Sequence, residues 1–262
     1  ANNNGITMHM LEAGFEGEGR PCVLLLHGFP ELAYSWRKVM LPIAEAGFHV
    51  VAPDQRGYVR SDGSAVSFDD DLRPFTMLNH VTDALGLVFA LGHRSVAAVV
   101  GHDYGSPVAG WCALVRPDVF RSVVFMSAPF EGAPSLPFNS ANDAPKRSDS
   151  STDGIQDALA DLSPPRKHYQ WYYSTPEANA DMLHCPQGVH DFLRGYYHVK
   201  SADWEPNAPF ALASWSAGEL AILPRYYVMD LDKNMAETVA SEMPSASEIA
   251  ACEWLSDEEL HV

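Results

Sequence analysis

Between residues 20 and 129, short unbroken apolar runs alternate with stretches of helical spacing. This alternation constrains the fold more than any other feature. "PCVLLL" (21–26), "FHVVAP" (48–53), "SVAAVV" (95–100) and "SVVFMSAP" (122–129) lack the polar–apolar alternation of a half-exposed strand. They read as strands buried on both faces of a sheet. "YSWRKVMLPIAEAG" (34–47), "LNHVTDALGLVFALG" (78–92) and "SPVAGWCALVRP" (106–117) carry apolar residues at helical spacing, and the first two stop at glycines. Residues 6–11 read as a first strand. Strand–helix alternation implies a mostly parallel sheet with helices on both faces and right-handed crossovers.

The rhythm changes near residue 130. "EGAPSLPFNSANDAPKRSDSSTDG" is rich in Pro, Ser, Asp and Gly and has no periodicity. From 155 onward the spacing is helical, broken by prolines and crowded with aromatics, as in "KHYQWYYS", "FLRGYYH" and "LPRYYVMD". No strand-like run is expected there. The expected organisation is a core over 1–130, an excursion over 131–155 and a helical unit over 156–262.

Charge excludes some partners. The 262 residues carry a formal net charge of −17, which argues against nucleic acid or an anionic membrane surface, since both require basic patches. No apolar run approaches the ~20 residues of a membrane-spanning helix. The start, "ANNNGITMHM", has neither the basic residues nor the apolar stretch of a signal peptide. Four cysteines occur singly, at 22, 112, 185 and 252. They read as buried thiols of a reducing compartment, the cytoplasm.

"GHDYG" (101–105) stands between an apolar run and a helix. Small–x–nucleophile–x–small at such a junction is the nucleophile elbow pattern. The glycines permit a sharp turn, and the following helix directs its N-terminus toward Asp103. On this pentapeptide alone, Asp103 as a helix N-cap is the competing role. "HGFP" (27–30) follows the strand "VLLL", where an oxyanion-hole loop belongs; the backbone N–H groups of Phe29 and Tyr104 are the expected pair. The order and spacing of both motifs favour the catalytic role for Asp103.

"HGFPE", "APDQRGY", "GHDYGSPVAG" and "RPDVF" together resemble the epoxide hydrolase branch of the α/β-hydrolase fold, over nearly the whole chain. "DQRGYVRSD" (54–62) follows that fold's D-x-R-G-x-G-x-S segment, with Val59 in place of a glycine. The helical unit then corresponds to the family's cap, and "HYQWYYS" matches its Y-Q-x-Y-[FY] segment. The resemblance implies that Asp103 attacks an epoxide to give an alkyl ester, which water hydrolyses to a vicinal diol. It implies that Tyr169 is one of two cap tyrosines holding the epoxide oxygen. Phe29, Pro30, Tyr104 and Gln170 are the implied substrate contacts. Partners are a small apolar epoxide and water, and no cofactor is implied. A carboxylate suits the attack because it is already ionised, whereas a serine needs a base to deprotonate it.

The family also uses a histidine, supported by an acid, to activate water. None of the eleven histidines stands in that context, and "CEWLSDEELHV" resembles the segment just before the second cap tyrosine. The sequence therefore reads as an N-terminal portion of a longer enzyme, with the C-terminal core strands expected to be absent and the chain expected to fold poorly and not turn over alone. Metal is not expected. "HCPQGVH" (184–190) lacks a second cluster to complete a tetrahedral set, and "DDD" (69–71) lacks calcium-loop spacing. No phosphate-cradling glycine loop is present. Two alternatives use the same residues. A haloalkane or haloacid dehalogenase shares Asp attack on saturated carbon, but the tryptophan or arginine expected after the nucleophile is replaced by Tyr104. A non-catalytic relative would simply hold a small apolar ligand.

Overall fold

A computed structural model describes residues 2–58, 60–61, 67–133 and 152–261. Val59, Asp62 and most of the 131–155 excursion lie outside the described residues. The chain divides into two compact units, Ala1–Leu136 and Pro137–Val262.

The first unit opens with a small hairpin, β1 (Asn2–Asn3) and β2 (Ile6–Thr7). Asn4 and Gly5 turn it with φ of +46° and +79°. Then come β3 (Met10–Ala13), β4 (Cys22–Leu26), a 3-10 turn over Ala33–Trp36, α1 (Arg37–Glu45) and β5 (His49–Pro53). They are followed by α2 (Met77–Ala90), β6 (Val96–His102), α3 (Gly105–Val115) and β7 (Val123–Met126). The five-stranded sheet has the order β3-β5-β4-β6-β7. β5, β4, β6 and β7 run parallel, and β3 pairs antiparallel with β5. The fold is the α/β-hydrolase fold, with a mostly parallel sheet.

Register explains why the apolar runs are continuous. Side chains alternate across a strand, so Leu24 and Leu26 pack with Val51, Val99 and the inner faces of α2 and α3. Val23 and Leu25 point the other way, toward Trp36, Met40 and Val50. Both faces are covered, so neither needs polar residues. The burial also pushes the thiols of Cys22 and Cys112 up to about 12. β7 lies at the sheet's end among the described residues, and its Val124, Phe125 and Met126 are exposed.

Two expectations for this unit are corrected. The single strand over 6–11 is two pieces, because the chain leaves the hairpin after Thr7 and pairs with β5 only from Met10. The helix over 34–47 begins as a 3-10 turn and becomes α-helical at Arg37.

A buried ion pair ties the hairpin to α2. The Arg56 guanidinium donates to both oxygens of Asp83, at 2.8 and 2.7 Å. Asp83 also accepts from the Asn4 amide at 2.8 Å, and Arg56 donates to the Asn4 carbonyl at 3.0 Å.

The second unit contains α4 (Thr152–Ala160), β8 (Arg166–His168), α5 (Tyr169–Tyr173), α6 (Ala178–Leu183), α7 (Gly188–His198) and α8 (Ala217–Leu220). β9 (Val228–Asp230), α9 (Met235–Ala240), α10 (Ala246–Ala251) and α11 (Asp257–Leu260) complete it. The expectation of no strand after 155 is overturned: β8 and β9 form an antiparallel pair with Lys167 opposite Met229. Each has only three residues, too few to show a period. The unit's main core gathers Tyr172, Phe192, Tyr196, Met229, Met235 and Val239. Three helices begin with reciprocal capping boxes: Asn234 with Glu237, Ser245 with Glu248, and Ser256 with Glu259.

Candidate active site

The elbow forms where β6 ends and α3 begins. Asp103 sits between them with φ of +50°, a left-handed conformation that is strained for most side chains and that Asp tolerates better than most. Two buried glycines permit the close approach of the backbones. A Cβ on Gly105 would collide with the Leu26 carbonyl, and one on Gly28 would collide with the Asp103 side chain. The Asp103 N–H donates to the Met126 carbonyl at 3.0 Å, which ties the elbow to β7. Asp103 is therefore not a side-chain N-cap: the capping position of α3 is Tyr104, which makes no side-chain cap bond.

The Asp103 carboxylate meets the HGFP loop directly. The Phe29 N–H donates to its Oδ1 at 3.0 Å. Phe29 itself is exposed, and the Phe29–Pro30 peptide is cis. The Tyr104 ring turns toward α2, edge-on to His80 at 5.6 Å, with its hydroxyl 4.0 Å from the Met77 sulfur. Burial raises the Tyr104 phenol above its ordinary value of 10.0, so it is neutral.

Three supporting residues were not singled out from sequence. Glu31, directly after HGFP, pairs through Oε2 with His102 Nδ1 at 2.7 Å and accepts from the Gly28 N–H at 3.4 Å. It bridges the loop and the elbow. The adjacency of Glu to HGFP and of His to Asp103 was the available signal. Ser106 is buried, its hydroxyl 2.7 Å from the Gly101 carbonyl and 2.9 Å from that of Met126. It also accepts the Met126 N–H at 3.1 Å. Gln55 donates its backbone N–H to His27 Nε2 at 3.0 Å. That nitrogen must be an acceptor, so Nδ1 carries the proton and donates to the Gly28 carbonyl at 2.9 Å. Burial lowers the His27 pKa below 6.5, in keeping with a neutral ring. His27 is thus a fixed brace beneath the loop, joined edge-on by Tyr58 at 4.4 Å.

In the second unit, Tyr169 is the first residue of α5. Its N–H donates to the Tyr227 carbonyl at 2.8 Å, and its hydroxyl accepts from the Gln170 amide at 3.2 Å. Its ring is clamped between Tyr173 and Tyr227, with centroids at 5.7 and 5.4 Å. Those two rings are linked in turn. The Tyr173 hydroxyl donates to that of Tyr196 at 3.1 Å, and Lys200 Nζ lies over Tyr196 at 4.5 Å and over Tyr227 at 5.5 Å. Tyr169 therefore stands in a closed aromatic ring completed by one ammonium group.

Among the described residues, no group of three or more His, Cys, Asp or Glu side chains is placed to hold a metal ion. No described helix is long and apolar enough to cross a membrane.

Comparison with known proteins agrees with this geometry. The pattern describing the α/β-hydrolase fold matches residues 21–166. An epoxide hydrolase from Caballeronia sordidicola is 44% identical over 127 residues, which are 48% of this chain and 36% of that protein. Epoxide hydrolase 3 from Siraitia grosvenorii is 41% identical over 52% of this chain and 40% of its own length. The matches therefore span well under half of these relatives. Among solved structures, an epoxide hydrolase from an endophytic Streptomyces superposes with a TM-score of 0.65 at 29% identity, covering 97% of this chain and 62% of that one. An epoxide hydrolase A from Mycobacterium thermoresistibile, at 24% identity and a TM-score of 0.67, shares the fold. On the match over more than half its length, the chain belongs to the α/β-hydrolase fold family.

Proposed function

We propose that the protein is an epoxide hydrolase acting through Asp103 on a small apolar epoxide, in the cytoplasm, with water as co-substrate. The observation that carries this reading is the Asp103 carboxylate at the elbow with Oδ1 held by the Phe29 N–H. The epoxide hydrolase names of the relatives support it. With Oδ1 held, Oδ2 is the attacking oxygen. It forms a C–O bond to a ring carbon as the ring C–O bond breaks, and that electron pair passes to the epoxide oxygen. The Tyr169 hydroxyl donates its proton to that oxygen. Oδ1 becomes the carbonyl oxygen of the ester. Ester hydrolysis requires a base to take the proton of the attacking water. As the water oxygen bonds to the carbonyl carbon, the carbonyl π pair passes to Oδ1, where the Phe29 and Tyr104 N–H groups stabilise it. Its return expels the diol oxygen, which takes up that proton. Phe29, Pro30, Tyr104 and Gln170 contact the substrate.

The test is covalent capture. Residues 1–262, shown to be folded by near-UV circular dichroism, are incubated with an aryl epoxide and followed by protein mass and peptide mapping. Ester on Asp103 is expected in the parent and none in Asp103→Asn. Tyr169→Phe should slow its formation by on the order of 10²-fold, the typical loss for one stabilising donor. An adduct that forms equally in Asp103→Asn would sink the assignment.

A further inference from the structure

The β8–β9 pair holds an uneven set of charges. Asp230, at the end of β9, accepts from Arg166 on β8 at 2.6 Å through Oδ1, and Lys233 lies 3.3 Å from its Oδ2. Arg225 also donates to Oδ1. One carboxylate thus faces three cations. Arg166 is nearly buried against Asp230, and those two charges balance each other. Arg225 and Lys233, with side chains 44% and 43% exposed, then outnumber the remaining carboxylate of this region, Asp232, by one charge. Each spends little of its donor capacity on Asp230, because a guanidinium and an ammonium each carry several N–H bonds. In a chain of net charge −17, this local excess is not a general property of the surface.

Both cations line a cleft of about 540 Å³, a volume suited to a small organic ligand. Pro164, Pro165 and Leu231 supply apolar wall, and Arg225 and Lys233 supply positive charge beside the carboxylates of Asp230 and Asp232. We propose that this cleft binds a small organic carboxylate. The carboxylate lies on Arg225 and Lys233, and its apolar body rests on the two prolines and Leu231. A planar guanidinium matches a carboxylate with paired N–H donors. A dianion is disfavoured, because Asp230 and Asp232 also line the cleft and repel a second negative charge. The site is independent of the role assigned to Asp103.

The test is a titration of the uniformly ¹⁵N-labelled chain with benzoate, benzamide and inorganic phosphate at constant ionic strength, read by amide chemical shifts. Benzoate is expected to shift the amides of residues 230–233 saturably, with affinity at least about tenfold above benzamide and phosphate, a difference near 1.4 kcal/mol. The Arg225→Gln/Lys233→Gln double variant should lose that preference while amides elsewhere keep their positions. Equal binding of benzamide would show an apolar wall without an anion site. Equal or tighter binding of phosphate would show a general cationic patch. Either result overturns the proposal, as does a double variant that binds benzoate unchanged, or no saturation by about 10 mM. If the double variant fails to fold, the three-ligand comparison on the parent chain still decides.

Discussion

At the scale of single residues, the Asp103 carboxylate depends for its placement on neighbouring groups. Glu31 joins the Gly28 N–H to His102, and so fixes the loop that carries Phe29 against the strand end that carries Asp103. Replacing Glu31 by Gln keeps the shape and removes the charge. A hydrogen bond to a charged group is worth about 1.5–3 kcal/mol, so Glu31→Gln should slow ester formation on Asp103 by roughly tenfold or more. Ester yield at completion should be unchanged, because the nucleophile itself is intact. Stopped-time mass measurements give both quantities, and an unaltered rate would show that the bridge is not needed. The elbow turn and the loop were legible in five and four residues. Glu31 closes the segment HGFPE, but its bridging role was not legible there, because its partner lies 71 positions away and only the parallel pairing of β4 with β6 brings the two together.

Secondary-structure elements follow local physics where they are long and tertiary packing where they are short. β4, β5 and β6 were visible as apolar runs because both their faces are covered. β8 and β9 were hidden because three residues carry no period. The capping boxes of α9, α10 and α11 were written plainly as NMAE, SASE and SDEE, a legible signal left unused. The attachment of the N-terminal hairpin to α2 was not legible at all, since it rests on Arg56 and Asp83, 27 residues apart. Removing one partner of a buried ion pair strands the other charge, at a cost of about 3–5 kcal/mol. Arg56→Leu should therefore lower the urea midpoint of the first unit strongly, and Arg56→Leu/Asp83→Leu should recover much of the loss. Far-UV circular dichroism across a urea series measures both. A double variant no better than the single would point to the Asn4 contacts as the dominant element.

For the molecule as a whole, stability should depend on pH through its buried histidines. His27, His80 and His168 are all held below 6.5, chiefly by burial. For such groups the unfolded chain takes up protons more readily than the folded one. Their contribution is complete above about pH 6.5 and is lost as pH falls toward the lower folded-state values, at up to about 1.4 kcal/mol per pH unit for each group. The urea midpoint should therefore drop between about pH 7.5 and pH 5.5, and His27→Gln should flatten part of the slope in the first unit. A midpoint constant over that range would show that these rings are not neutral in the fold.

By itself, the sequence determined the parallel sheet, the place of the elbow and the identity of its central carboxylate. Those properties are written in contiguous residues: an apolar run has to be buried, and a glycine-flanked Asp between a run and a helix has to turn. Tertiary structure alone decided which oxygen of Asp103 is held, which histidine is a neutral brace, which glutamate bridges loop to elbow, and which cations gather around Asp230. Each of these depends on atoms brought within hydrogen-bonding distance from distant positions in the chain. Residue type and local spacing state what a group can do, but the distance at which it does so is set by strand register and by the packing of elements.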